Sequence, residues 1–257
     1  MQVNGGYKRA PMTALSPISA CTACPIRHRA VCAECGPEDL AILERSKVYK
    51  TFQPGDTIAA EGEPLSHFSS LVSGAATMSR SFEDGRRQTV GLLLASDFIG
   101  RPGRATSAYD VEALSEVTLC RFERRTFESL VRATPAIATR MLEMTLDELD
   151  AARDLAVILG RMTAREKLAA FLVSLARRLS LVEGGAESNR RVALTLPMSR
   201  EQLADHLGLT IETTSRQFTA LKKEGLIEVP NARGVVIPDL RLLELESGAD
   251  DDGGPIA

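Results

Sequence analysis

SREQLADHLGLTIETTSRQFTALKKEGLIEV, residues 199 to 229, decides the fold. Ser199-x-x-Gln202 is a capping-box pattern, in which two side chains satisfy backbone donors left open at a helix start. It predicts a short helix over SREQLADHLG. Gly208 permits a sharp turn, and TIETTSRQFTALKKEG reads as a second helix closed by Gly225. LIEV and GVVIP, separated by PNAR, read as a two-stranded wing. Upstream, Thr163-x-x-Glu166 opens another capped helix over AREKLAAFLVSLARRLS; VEGGAESNRR is a polar loop and LTLPM a short strand. Helix, helix, turn, helix, hairpin is the order of a winged helix-turn-helix.

The second helix of that unit places Glu212, Ser215 and Arg216 at i, i+3 and i+4, on one face near its N-terminus. Arginine donates twice to guanine O6 and N7, a carboxylate accepts from the cytosine amine, and serine approaches either edge, so the trio suits base reading. The plainer alternative is a surface Glu212–Arg216 ion pair, which contributes a few tenths of a kcal/mol. Thr210, Thr213, Lys222 and Lys223 fit phosphate contacts that set register. Leu203, Leu207, Leu209, Phe218, Leu221 and Leu226 fit the small domain's core. Charge agrees: Arg161 to Pro238 holds twelve Lys/Arg against eight Asp/Glu, whereas Asp239 to Ala257 holds one against six, in a chain of net charge -3.

Working back, residues 47 to 125 show short apolar runs broken by PGD, EGEP, SG, EDG and PG, the rhythm of many short antiparallel strands in a sandwich, jelly roll or barrel. The pattern changes near Thr126. TPAIATRMLEMTLDELDAARDLAVILG then reads as a long helix with Pro135 in its first turn. One stripe on it, Ile137, Met141, Met144, Glu148, Ala151, Leu155 and Ile158, suits packing on the sheet domain. The other, Leu142, Thr145, Leu149, Ala152, Ala156 and Leu159, suits a seam with a second copy of the helix, making a homodimer. Asp147, Glu148, Asp150 and Asp154 flank that seam, where like charges would repel across a two-fold axis.

At 257 residues, 44% apolar and 25% charged, the composition is globular, with no apolar run of membrane-spanning length and no export signal at the start. A cytoplasmic protein that does not engage membranes is expected, and there clustered cysteines are read first as metal or redox groups. CTACPIRHRAVCAEC, residues 21 to 35, holds four of five: Cys21, Cys24, Cys32 and Cys35, with Cys120 far away. The segment alone can supply a complete tetrahedral thiolate set for zinc. Metal-site chemistry alone favours that reading; the alternative is an iron–sulfur cluster held by three of its thiols with Cys120. Three histidines and no grouped His/Asp/Ser or phosphate-loop motif leave no catalytic constellation, so an enzyme is not expected.

C-x2-C-P-I-R-x-R-x-V-C, Cys120 at the end of a strand-like run, AREKLAAFL and E-T-T-S-R together resemble the CRP/FNR family of transcription regulators, in its oxygen-sensing, FnrL-like FNR branch. The likeness runs from Cys21 to about Pro238. It implies an α+β fold: a cyclic-nucleotide-binding-type β jelly roll, a long dimerisation helix and a C-terminal winged helix-turn-helix. It implies a 4Fe-4S cluster on Cys21, Cys24, Cys32 and Cys120, with Cys35 left over or substituting for Cys32, whose C-x7-C gap departs from the five residues of the enterobacterial form. It further implies promoter DNA with palindromic TTGAT-type half-sites read by Glu212, Ser215 and Arg216, and RNA polymerase as a partner, touched by SFEDGRR or VEGGAESNRR. A cyclic nucleotide fits poorly, since Arg101 stands where that branch has its Glu and Thr106-Ser107 where it has Arg-Ser. The expected plan is an arm (1–20), a cysteine loop (21–36), a sensory jelly roll (37–132), a dimerisation helix (133–160), the DNA-binding domain (161–240) and an acidic tail (241–257).

Overall fold

The computed structural model describes residues 20–182 and 191–248; most of the N-terminal arm, most of the loop VEGGAESNRR and the end of the acidic tail lie outside the described residues. After a 3-10 turn over Cys21–Ala23 and a looped segment come α1 (Pro37–Ser46) and eight strands: β1 (Lys47–Phe52), β2 (Thr57–Ala59), β3 (His67–Ser73), β4 (Ala76–Ser81), β5 (Arg87–Leu93), β6 (Phe98–Ile99), β7 (Asp110–Ala113) and β8 (Val117–Glu123). They form two antiparallel four-stranded sheets, ordered β1-β8-β3-β6 and β2-β7-β4-β5. Strand alternation divides the apolar residues between two cores. Leu71 on β3 and Val117 and Leu119 on β8 face the opposite sheet, with Phe52, Leu93 and Ile99. Phe68 and Val72 on β3 and Cys120 and Phe122 on β8 point the other way, into a second core with the cysteine loop and helices.

Those helices are α2 (Arg124–Ala133) and α3 (Pro135–Arg161), the latter opened by Pro135 as the sequence predicts. Ile137 is fully buried and Met141 and Met144 pack beside it, so the first half of the sheet-facing stripe does what its spacing implies. Farther along, Glu148 of the same stripe lies beside Gly91 of β5, and Ile158 packs against the core that holds Leu168 and Leu172.

The C-terminal unit comprises α4 (Ala164–Val182), β9 (Val192–Thr195), α5 (Arg200–Leu207), α6 (Ile211–Lys223), β10 (Gly234–Ile237) and α7 (Leu240–Glu246). Both capping boxes form: Thr163 with Glu166, and Ser199 with Gln202. Gly208 takes the left-handed conformation at φ 60° that the turn requires. Two expectations change. The wing strand GVVIP meets LIEV as expected, but at one antiparallel bridge, Glu228 to Val236, and pairs along its length with β9, so the wing gains a strand from upstream. Residues 241–246, expected in the acidic tail, belong instead to the helix Leu240–Glu246, whose fully buried Leu243 joins the core of Leu168, Leu172, Leu203, Phe218 and Leu221. Arg165 fastens that helix: its guanidinium donates to Glu246 on α7 and to both oxygens of Glu224 at the end of α6.

Candidate functional site

β8 is the middle strand between β1 and β3, and its register places Cys120 directly opposite Tyr49 on one side and Ser70 on the other. Tyr49, Cys120 and Ser70 therefore make a row across the outer face of the sheet. The cysteine loop lies over that row, anchored by Ile26, Ala30 and Val31, all buried. A small cavity of about 20 Å³ remains between them, lined by Cys21, Cys24, Cys32 and Cys120 together with Tyr49, Ser70 and Phe122. Cys35 is buried in the same apolar cluster but does not line the cavity.

The loop has hydrogen bonds of its own. Arg27 donates to the carbonyls of Ala33 and Cys35, the latter at 2.8 Å, and so closes the loop on itself. Lys47 Nζ stands 3.4 Å from Cys21 Sγ. Arg140 on α3 donates to the carbonyl of Arg29 at 2.9 Å and pairs with Glu143, tying the loop to the long helix. The Ser70 hydroxyl is buried and has no hydrogen-bond partner among the described residues.

Burial raises the thiols of Cys24, Cys32 and Cys120, the last to about 12, where neighbouring thiols add to the effect. Burial also raises the Tyr49 hydroxyl, which is hydrogen-bonded to Cys120. A metal or cluster held here would have to displace those thiol protons. The donor set fits such a group: four soft thiols from one loop and one rigid strand surround a common space. They surround it rather than meet in it, since among the described residues no three His, Cys, Asp or Glu converge as a single ion would require.

The face expected to read DNA is built on α6. Thr210 is its N-cap, accepting from the Thr213 amide at 3.1 Å, so the hydroxyl expected at a phosphate is engaged in holding the helix start. Glu212, Ser215 and Arg216 are exposed together. Arg216 donates to the Thr213 hydroxyl at 3.1 Å, and among the described residues no Glu212–Arg216 ion pair forms. Arg200, which the sequence does not single out, stacks on the ring of Phe218 at 3.1 Å, with one buried guanidinium nitrogen that has no partner among the described residues. Burial lowers it to about 10.

On α3, Leu142 is 60% exposed and Leu149 43%, as a seam awaiting a partner would be; Leu146, absent from the expected stripe, is 51% exposed and completes an i, i+4, i+7 row. Thr145, Ala152 and Ala156 are exposed with them. Leu159 lies instead beside Gly208, where an added Cβ would stand 3.5 Å from its Cδ2. At the cyclic-nucleotide position, Arg101 is exposed and the Ser107 hydroxyl donates to the carbonyl of Tyr109 at 2.6 Å. Among the described residues no helix is long and apolar enough to cross a membrane.

Known proteins agree with this layout. Residues 49–134 match the cyclic nucleotide-binding domain model and residues 166–246 the Crp-like helix-turn-helix domain. The chain is 51% identical to the transcriptional activator protein FnrL of Cereibacter sphaeroides, over 91% of this chain and 94% of that one. It is 36% identical to the nitrogen fixation regulation protein FixK of Bradyrhizobium diazoefficiens, over 81% and 86%. Among solved structures, FixK2 from Bradyrhizobium japonicum superposes with a TM-score of 0.70 at 28% identity, covering 79% of this chain and 98% of that one. With a cyclic nucleotide-binding-type sandwich, a long helix and a Crp-like helix-turn-helix domain, this chain belongs to the CRP/FNR family of transcription regulators.

Proposed function

We propose that this DNA-binding transcription regulator responds to oxygen through a 4Fe-4S cluster held by Cys21, Cys24, Cys32 and Cys120, and binds palindromic TTGAT-type promoter sites as a homodimer while the cluster is intact. The observation that carries the reading is the set of thiols around the cavity: the distant Cys120 is among them and Cys35 is not. A zinc site confined to the loop would need Cys35 in place of Cys120, and their placement favours the other set.

When bound, the cluster supplies an oxygen-labile link between loop and sheet. The chain's own residues carry the consequence. Tyr49 and Ser70 flank Cys120 on a rigid sheet, so any adjustment at the site falls on the loop. Arg140 holds the carbonyl of Arg29, and Ile137 and Met141 pack in the same cluster as the cysteines, so the loop's position bears directly on α3. Leu142, Leu146 and Leu149 then form the seam, with Asp147 and Asp150 beside it keeping the dimer near balance. Glu212, Ser215 and Arg216 of the two protomers read the half-sites, and the activator's partner beyond DNA is RNA polymerase.

Iron and sulfide analysis of protein purified without oxygen tests the ligand set. Cys120→Ser should abolish the bound iron and sulfide, and Cys35→Ser should retain them. The reverse pattern, or a dimer fraction unmoved by exposing the anaerobic protein to air, overturns the reading.

A further inference from the structure

The thiol site acts on α3 through its loop, but the sheet beneath it also connects directly to the DNA-binding domain. Between β5 and β6 the chain makes a tight turn in which Ser96, buried, has φ +83°, the one positive value at a residue other than glycine among those described. A side chain in that region is sterically strained and persists only where its surroundings fix it. Here they do. The Ser96 amide donates to the carbonyl of Leu71 at 2.8 Å, and the Leu71 amide donates to the carbonyl of Asp97 at 2.9 Å. Leu71 adjoins Ser70, the residue opposite Cys120.

What the turn presents is the Asp97 carboxylate. Its Oδ2 accepts from the Leu94 amide at 2.7 Å, closing the turn, and the same oxygen accepts from Arg178 Nη2. Arg178 lies on α4, in the DNA-binding domain, and its Nη1 donates to the carbonyl of Leu92 at 2.9 Å. One guanidinium thus grips two points of the sensory sandwich. Around it, Ala75, Leu94 and Leu114 of the sandwich are buried in the same apolar cluster as Leu168, Leu172 and Leu203. An isolated exposed ion pair would hold little. This one is backed by the second guanidinium nitrogen's bond to Leu92, is partly buried and is set in an apolar seam. Neither the thiol site nor base reading uses Asp97 or Arg178.

We propose that Asp97 and Arg178 are positioning residues that latch the DNA-binding domain onto the sandwich of its own protomer, and so fix the separation at which a dimer presents its two recognition helices. The proposal rests on the dimeric, palindrome-binding reading above. Half-sites one helical turn apart are read together only if the two helices are held at that spacing, and a domain left free must be ordered at the moment of binding. Glu212, Ser215 and Arg216 are exposed in the latched arrangement, so the latch does not conceal the reading face.

The test measures binding of the full-length protein, by fluorescence anisotropy, to TTGAT-type palindromes whose half-site separation is varied by one base pair in either direction. Wild-type protein should bind one spacing best. Arg178→Ala should lose about fivefold at that spacing and bind the three duplexes more evenly, with an unchanged dimer fraction. Asp97→Asn, which keeps an oxygen for the Leu94 amide, should do the same in milder form, and the double variant should be no worse than Arg178→Ala. An unchanged spacing preference, additive losses, tighter binding by either variant, or a loss explained by fewer dimers overturns the latch. Wild-type protein indifferent to spacing would overturn the palindromic dimer itself, and the latch with it.

Discussion

Leu146 offers a direct measure of the α3 seam, because it is exposed in one protomer and lies between Leu142 and Leu149 on the same face. Fully burying a leucine contributes about 1.5–3 kcal/mol, and a side chain already half covered recovers about half of that when a partner closes over it. Leu146 is 51% exposed and occurs once in each protomer, so the pair contributes about 1.5–3 kcal/mol to dimerisation. Leu146→Ala should therefore weaken the dimer by roughly tenfold to a hundredfold. Sedimentation equilibrium of the anaerobically purified protein reads this directly. Leu242→Ala is the control: Leu242 on α7 is 52% exposed, equally apolar and off the seam, and should leave association unchanged. Equal effects of the two substitutions, or none from Leu146→Ala, would refute the assignment of this face.

Three further outcomes are expected. Thr210→Ala should cost about 1 kcal/mol of stability in chemical denaturation through loss of the α6 cap, and Thr210→Ser should restore it; a loss confined to DNA affinity would mean the hydroxyl serves phosphate instead. Burial holds His206 down at about 4, below its unfolded value, so the unfolded chain takes up a proton that the folded one refuses as pH falls from about 6.5 toward 4. Stability should fall across that window by up to about 1.4 kcal/mol per pH unit from this group, and His206→Leu should melt with a shallower acid dependence than wild type. Glu212→Gln should relax discrimination at one base pair by about 1–3 kcal/mol rather than weaken binding to all sequences alike.

What was legible in the sequence was whatever local chemistry announces. Ser199 and Gln202, Thr163 and Glu166, Gly208 and Pro135 each mark an element boundary by satisfying or freeing the backbone at one place, and each marks it correctly. The wing is legible in part: LIEV and GVVIP, near in sequence and apolar, do meet at Glu228 and Val236, but β9, some forty residues upstream, pairs along β10, a long-range contact that no local pattern marks. Helix α7 was lost in an acidic composition, although Leu240 and Leu243 carry a helical spacing that the charges obscure. At the thiol site, the cysteines were visible but their neighbours were not. Tyr49 and Ser70 matter only through the register of β1 and β3 on β8, a long-range fact no spacing reports.

That register also says what should survive when no cluster is present. If the thiols' ligand were all that ordered the cysteine loop, its absence would leave fifteen residues as free chain. The loop has anchors of its own, however: Ile26 and Val31 are buried, each contributing about 1.5–3 kcal/mol, and the Ala30 amide donates to the carbonyl of Ile26 at 2.9 Å. Arg27 and Arg140 bind its carbonyls from two sides. Hydrogen exchange of Cys120→Ser should then show the Ala30 amide protected well above free-chain rates, though less than Leu119 and Phe122 in the sheet. Such a result would mean that the loop stays docked without Cys120 as a ligand, so that a signal at the site shifts a docked loop against α3 instead of melting it. Free-chain exchange at Ala30 beside a protected sheet would show the opposite, a loop ordered only through its thiols.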